Sequence, residues 1–355
     1  MDLSKLFDEG RNFYAMQSYK RNDGKAFIPL RYFFELTYRC NLRCPYCYVG
    51  CERDKNELST DEWKNVIKQI PFYSFVTLVG GEPLIRKDFI DILMATSKKT
   101  LGKLNVVSNG ILINDEIIDA FIKSKMMLLS VSLDGYGVNH DKARNKEGIF
   151  DKIHNNFEKM NSRKKRPMID IKTIVLKDNL DDLVKLYKYC NEMNFNFLSI
   201  SFLRNNNLKQ NTMLFDEFVP EFNGNYPIEK YFDLEHFKEI YRELQALKKN
   251  SKVQIRFAPK FEYSKNPIEK IEEFFNTPND KPIEEIYKPC MYPFSNMMIN
   301  PEGDIYPCLS QRVGNIREMS LIDAYNQPKF RCFRKNLQYS KVFGACQMCC
   351  ELEVK

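Results

Sequence analysis

Cys40, Cys44 and Cys47 stand in the stretch Cys40-Asn41-Leu42-Arg43-Cys44-Pro45-Tyr46-Cys47, with three residues and then two between them. Thiolates at this spacing can wrap one corner of an iron–sulfur cube. A four-iron cluster normally takes four cysteines, so three leave one iron open. An open position on a metal is what substrate or cofactor chemistry requires. The alternative use of such cysteines is a structural zinc site. Cys51 lies four residues beyond Cys47, outside the pattern, and reads as a loop residue.

A second group of cysteines runs from Cys290 to Cys350. Between Cys290 and Cys308, residues Met297 to Tyr306 read as a β-hairpin whose turn, Asn300–Gly303, is polar and ends in glycine. The hairpin would bring Cys290 and Cys308 together, and Cys346-Gln347-Met348-Cys349 adds a CxxC pair. Four thiolates can hold a second cluster or one tetrahedral zinc. Cys350 could replace Cys349. Cys332 fits neither group by spacing. Cys190 falls on an apolar helical pattern, as a small buried hydrophobe does.

The elements that must position these groups alternate. The apolar, aromatic run Tyr32–Thr37 predicts a strand leading into the first cysteines. Ser59-Thr60-Asp61-Glu62 predicts a capped helix start after them. Further strands are expected at Phe75–Val79, Leu104–Val107, Met127–Leu133, Met168–Leu176 and Phe197–Leu203. Helices are expected between them, at Asp61–Ile70, Asp88–Lys98, Asp115–Lys123, Ile149–Met160 and Leu180–Met193. Repeated strand–helix units imply a parallel sheet covered by helices, with ligands bound at the carboxyl ends of its strands. The expected division is a lead-in at 1–28, irregular or partly helical, then the strand–helix core at 29–204. A connecting segment at 205–288 and a cysteine-bearing unit at 289–355 follow. Within the connecting segment, Asn205–Asn207 and Pro220–Pro227 read as loops, Leu234–Lys249 as a helix and Val253–Phe257 as a strand. Pro267 and Asn276–Asp280 read as a second linker.

The spacing of the first three cysteines, with Tyr46 before the last, resembles the signature of the radical S-adenosylmethionine (SAM) enzymes. The resemblance implies a partial (β/α)6 barrel over about half the chain. It also implies a [4Fe-4S] cluster whose open iron is chelated by SAM, and reductive cleavage of SAM to methionine and a 5′-deoxyadenosyl radical. Gly80-Gly81-Glu82, after the second strand, resembles the GGE motif that binds the SAM amino group. By the same resemblance Tyr46, Ser108, Asn109 and Ser132 would line the SAM site, and Arg144 would meet the SAM carboxylate. For Asn109 and Asp134 a turn or cap role is an equal alternative. The pattern of Cys290, Gly303, Cys308 and a later CxxC, with Gly314-Asn315-Ile316, resembles the opening of the SPASM extension. The chain ends six residues after Cys349, so the expectation is the shorter twitch form, with one auxiliary [4Fe-4S] cluster on Cys290, Cys308, Cys346 and Cys349.

The resemblance leaves two substrate groups, ribosomally made peptides and small molecules such as sugars or aminocyclitols, with peptides slightly ahead. The lead-in is too short for a folded peptide-recognition domain. Such an enzyme would need a reducing electron donor such as flavodoxin or ferredoxin. The competing class is a non-catalytic iron–sulfur or zinc protein. With 355 residues and 43% hydrophobic residues, the chain can build a sizeable core. There is no export signal, and most of the eleven cysteines fall in ligand-like groups, so a reducing cytoplasm is expected. No apolar run is long enough to span a membrane. The net charge of +7 is dispersed, and its densest run, Arg163–Arg166, follows a helix, so nucleic acid is not an expected partner.

Overall fold

The computed structural model describes residues 3–47, 56–203, 232–261, 264–278, 281–308 and 311–355. Cys51 and the loops expected at 205–207 and 220–227 lie outside them. In chain order the elements are α1 (Leu3–Tyr19), β1 (Arg31–Glu35), α2 (Thr60–Gln69), β2 (Phe75–Val79), α3 (Phe89–Thr100), β3 (Leu104–Ser108), α4 (Asp115–Ser124) and β4 (Leu128–Ser132). Then come α5 (Val138–Arg144), α6 (Ile149–Asn161), β5 (Met168–Val175), α7 (Leu180–Glu192), β6 (Phe197–Phe202), α8 (Leu234–Lys248) and β7 (Gln254–Ala258). The chain finishes with α9 (Pro267–Asn276), α10 (Ile283–Ile286), β8 (Asn296–Ile299), β9 (Asp304–Tyr306), β10 (Gly314–Asn315), α11 (Leu321–Asn326) and α12 (Pro328–Ser340).

The ten strands of the described residues form one sheet, in the order β10-β9-β8-β1-β2-β3-β4-β5-β6-β7. The strands from β8 through β7 are mutually parallel. Six parallel strands were expected; the structure adds one at each edge. β7, inside the segment expected to be connecting, pairs with β6. The first strand of the C-terminal hairpin pairs with β1, Phe33 lying opposite Met298. The sheet therefore runs across the expected boundaries at 204 and 289. Pro267 does not mark a linker but opens α9, where its missing N–H costs nothing.

Alternation along the strands sorts the side chains. Phe34 meets the buried Trp63 of α2, with ring centroids 5.4 Å apart, so Phe33 and Glu35 face the other way. On the helix-covered face, Val76, Leu78, Val106, Leu129, Val131, Ile169, Ile171, Leu198 and Ile200 are fully buried. The opposite face is polar: Thr77, Asn105, Ser130, Asp170, Lys172, Ser199 and Arg256 lie on it by register. Helix ends are set locally. Ser59 and Glu62 form a reciprocal capping box on α2, and Asn114 caps α4. The N-terminal helix is tied to the other end of the chain through Arg11–Glu351 at 3.3 Å and Asn12–Glu353 at 3.2 Å.

Candidate active site and auxiliary cluster site

The first cysteines sit on the loop leaving the carboxyl end of β1. That loop is fastened to the glycine pair after β2. The Gly81 N–H donates to the Thr37 carbonyl at 2.7 Å, and the Glu82 N–H donates to the Arg39 carbonyl at 2.9 Å. A Cβ on Gly81 would stand 2.4 Å from the Arg39 oxygen, and one on Gly80, at φ +149°, would stand 2.5 Å from the Thr37 oxygen. The pair is thus required by the close approach of the cysteine loop itself. From the other side, Glu57 accepts from the Thr37 hydroxyl at 2.6 Å and the Tyr38 N–H at 3.0 Å. Buried Arg86 donates to the Leu36 and Leu58 carbonyls.

The Glu82 side chain is fully buried. It accepts from the Ser108 hydroxyl at 2.9 Å, the Asn109 N–H at 2.7 Å and the Leu84 N–H at 3.1 Å. Burial outweighs these donors and pushes its carboxyl up to about 7. Glu82 therefore locks the ends of β2 and β3 together, and Ser108 is engaged in that lock. Asn109 reaches the cysteine loop, its amide 2.7 Å from Asn41 Oδ1 and 4.0 Å from Cys40 Sγ. Ser132 ends β4, half-buried, on the polar face.

Asp134, fully buried just past β4, is a second hub. It pairs with Arg144, accepts from Tyr46 Oη at 2.6 Å and accepts from the Ile174 N–H at 2.8 Å. Arg144 also donates to Cys44 Sγ at 3.7 Å, and its guanidinium carbon lies 5.7 Å from the Tyr46 ring centroid. Burial opposes the Arg144 charge, but Asp134, Tyr46 and Cys44 more than offset this and hold its pKa above the usual value. Burial, aided by the Arg144 charge, pushes His140 down to about 4; its neutral Nδ1 accepts the Asp134 N–H at 3.0 Å. The structure thus brings Cys40, Cys44, Tyr46, Asn109 and Arg144 around one loop. Cys40 and Cys44 are half-buried and Cys47 is exposed.

These surroundings suit a cluster-bearing loop. The Leu42 N–H donates to Cys40 Sγ at 3.4 Å, and the Arg144 cation lies beside Cys44. Both favour the thiolate form that ligates metal. Among the described residues, no three Cys, His, Asp or Glu side chains gather around one point as for a single ion.

At the other end of the chain, Cys290, Cys308 and Cys346 converge on a small apolar cluster of Phe333, Leu337 and Phe343. Burial pushes the Cys290 thiol up, and Cys346 and Cys308 are close enough to raise it further. Cys349 is half-buried against the main core, whereas Cys350 is exposed. Cys190 is buried on α7 and Cys332 is exposed on α12.

Sequence reasoning missed Glu35. It ends β1 on the polar face, is 2% exposed, and makes no hydrogen bond or ion pair with any described residue. Burial alone pushes its carboxyl from the ordinary 4.5 to about 8. A carboxyl raised by folding makes the native state hold an extra proton, so this contribution to stability is lost as pH climbs through that window. Glu35→Gln should therefore change the thermal midpoint little at pH 5 and raise it increasingly toward pH 8, by the equivalent of about 3 kcal/mol at pH 7. Equal midpoints for mutant and wild type at pH 8 would show that the carboxyl is solvated.

Comparison with known proteins gives the following. Residues 34–190 match the radical SAM superfamily model, and residues 290–350 match the SPASM iron–sulfur cluster-binding domain. The chain is 27% identical over 326 residues to the AdoMet-dependent heme synthase of Methanosarcina barkeri, covering 89% of this chain and 87% of that protein. It is 28% identical to the sporulation killing factor maturation protein SkfB of Bacillus subtilis, over 46% of this chain and 40% of that protein. In structure it resembles Streptococcus suis SuiB bound to precursor peptide SuiA, with a TM-score of 0.64 and 18% identity, covering 95% of this chain and 74% of that one. The last likeness is one of fold, and it bears out the partial barrel. No helix among the described residues is long and apolar enough to cross a membrane.

Proposed function

We propose that this chain, a radical SAM enzyme carrying a SPASM-type iron–sulfur domain, modifies a ribosomally made peptide by hydrogen-atom abstraction. The observation that carries the reading is the cysteine loop clasped between the glycine pair, Glu82 and the Arg144–Asp134 hub. In this reading Cys40, Cys44 and Cys47 hold a [4Fe-4S] cluster, and the Gly80–Glu82 backbone, Tyr46, Ser108, Asn109, Ser132 and Arg144 line the SAM site. Cys290, Cys308, Cys346 and Cys349 hold the auxiliary cluster. When bound, the reduced cluster and SAM supply a 5′-deoxyadenosyl radical able to attack an unactivated C–H bond. The protein's own residues position that bond and exclude water from the concave polar face. A flavodoxin or ferredoxin in a reducing cytoplasm is the electron source.

Peptide modification is supported by the likeness to SkfB, a maturation protein, and by the peptide-bound state of SuiB. A second reading, a small-molecule substrate, has one specific observation in its favour: a heme synthase aligns over nearly the whole chain. Anaerobically reconstituted, reduced protein should release 5′-deoxyadenosine from SAM; a wild-type preparation that does not would sink the radical reading. Offering it peptides from short neighbouring reading frames, and separately a metalloporphyrin, decides the substrate class.

The fate of the substrate radical leans toward oxidation or crosslinking. Epimerisation needs a thiol outside both clusters to return a hydrogen atom. Cys190 is buried on α7 and Cys332 lies on α12, so neither is on a strand of the concave face. In deuterated water the product should be two mass units lighter, without solvent deuterium at the reacting carbon. Deuterium there, lost on changing Cys350 or Cys51 to Ala, would establish epimerisation instead.

A further inference from the structure

We propose that Lys172 and Arg256 form a carboxylate-binding subsite on the concave face of the barrel, and that it receives an anionic group of the substrate. This rests on the radical SAM reading only for the position of the reacting centre.

Parallel register places Ser132, Lys172, Ser199 and Arg256 in one row across β4, β5, β6 and β7. Ser132 is the last residue of β4, two residues before the Asp134 hub, so the row runs from the rim of the cysteine loop into the concavity. Lys172 and Arg256 are two strands apart, a backbone separation of about 10 Å that two long side chains can close around one small anion.

The charges in this row do not balance internally. Asp170, buried one step deeper, accepts from Ser199 Oγ at 2.7 Å and from Ser130 Oγ at 3.2 Å. Lys172 Nζ reaches it at 3.4 Å while its side chain remains 43% exposed. That one carboxylate is thus engaged by Lys172 and two serine hydroxyls, and Arg256, in the same row as Lys172, has no carboxylate of its own. Arg256 makes no hydrogen bond or ion pair with any described residue, and its Nε is buried without a partner. Its guanidinium carbon lies 3.5 Å from the Phe197 ring centroid. Stacking fixes the plane of the fork and leaves its in-plane donors to be used, so little ordering remains to be done when an anion arrives. Arg256 is half-buried, its Nε is removed from water without an acceptor, and a carboxylate between Arg256 and Lys172 would supply charge-assisted bonds to both.

The test uses the anaerobically reconstituted holoenzyme and glutarate as probe, with ionic strength held constant by sodium chloride. Glutarate should raise the thermal midpoint saturably, and the dependence on concentration gives its affinity. Arg256→Gln should weaken that affinity at least tenfold and Lys172→Gln severalfold, whereas Arg256→Lys, which keeps the charge but loses the stacked fork, should weaken it by less than Arg256→Gln. Saturating SAM should leave the glutarate affinity unchanged. Iron content and circular dichroism check that each variant is folded. A wild-type midpoint that glutarate does not shift, or the same shift in Arg256→Gln, would overturn the subsite. Competition with SAM would hand the row to the SAM carboxylate and overturn the substrate assignment. Tighter binding of inorganic phosphate than of glutarate would overturn the carboxylate assignment. Absence of 5′-deoxyadenosine from the wild type would defeat the radical reading while leaving the glutarate result standing.

Discussion

Changing Cys40, Cys44 and Cys47 together to Ala should abolish 5′-deoxyadenosine formation and leave about half of the wild-type iron. Two four-iron clusters amount to about eight irons per chain, and the variant should retain about four. The loop itself should survive the change. Its backbone is held by Gly81 and Glu82 N–H donors, by Glu57 and by Arg86, none of which uses a thiol. The remaining iron has separate support, since Cys290, Cys308 and Cys346 pack on Phe333, Leu337 and Phe343. Iron and acid-labile sulfide assays on reconstituted protein make the measurement. About four irons in the wild type, with zinc bound at the C-terminal cysteines, would remove the auxiliary cluster and leave the first site intact.

Arg144→Ala should cost about 3–5 kcal/mol, because it strands the fully buried Asp134 carboxylate without its cation. It should also weaken SAM binding, since Arg144 reaches Cys44 Sγ on the cysteine loop. The two effects have different origins and a double variant separates them. Asp134→Asn combined with Arg144→Ala removes the stranded charge and should recover much of the stability. The Ile174 N–H can still donate to the Asn carbonyl, and the Asn amide N–H can donate to Tyr46 Oη. SAM affinity, measured by equilibrium dialysis, should stay low in the double variant. If it recovers with stability, Arg144 acts only through Asp134; if Arg144→Ala binds SAM normally, Arg144 has no part in the SAM site.

Much of this site is legible in the amino-acid sequence. The three-cysteine loop, the glycine pair and the C-terminal cysteines are short-range patterns, and each lies at a strand end or hairpin as its context implies. The glycines show the limit of such reading. Their type is clear, but the cause is not: the atoms a Cβ would strike belong to Thr37, Tyr38 and Arg39, on a different strand-end loop far back in the chain. Glu82 is similar, since its hydrogen-bond partners at Ser108 and Asn109 come from the next strand. The polar face does leave a trace. In Met168–Val175, Asp170 and Lys172 alternate with Ile169 and Ile171, an odd pattern for a strand covered on both faces.

Ligand spacing, helix caps, the strand–helix rhythm and the hairpin turn all depend on neighbours along the chain, so they can be read directly from the order of residues. They follow from covalent reach and backbone geometry over a few positions. Other features exist only in the folded chain: β7 and β8 extend the sheet, Asp134 takes Arg144 and Tyr46, and Glu35, Lys172 and Arg256 share a face. Those arrangements depend on strand register across distant segments, where a slip of one residue would send every side chain to the opposite face.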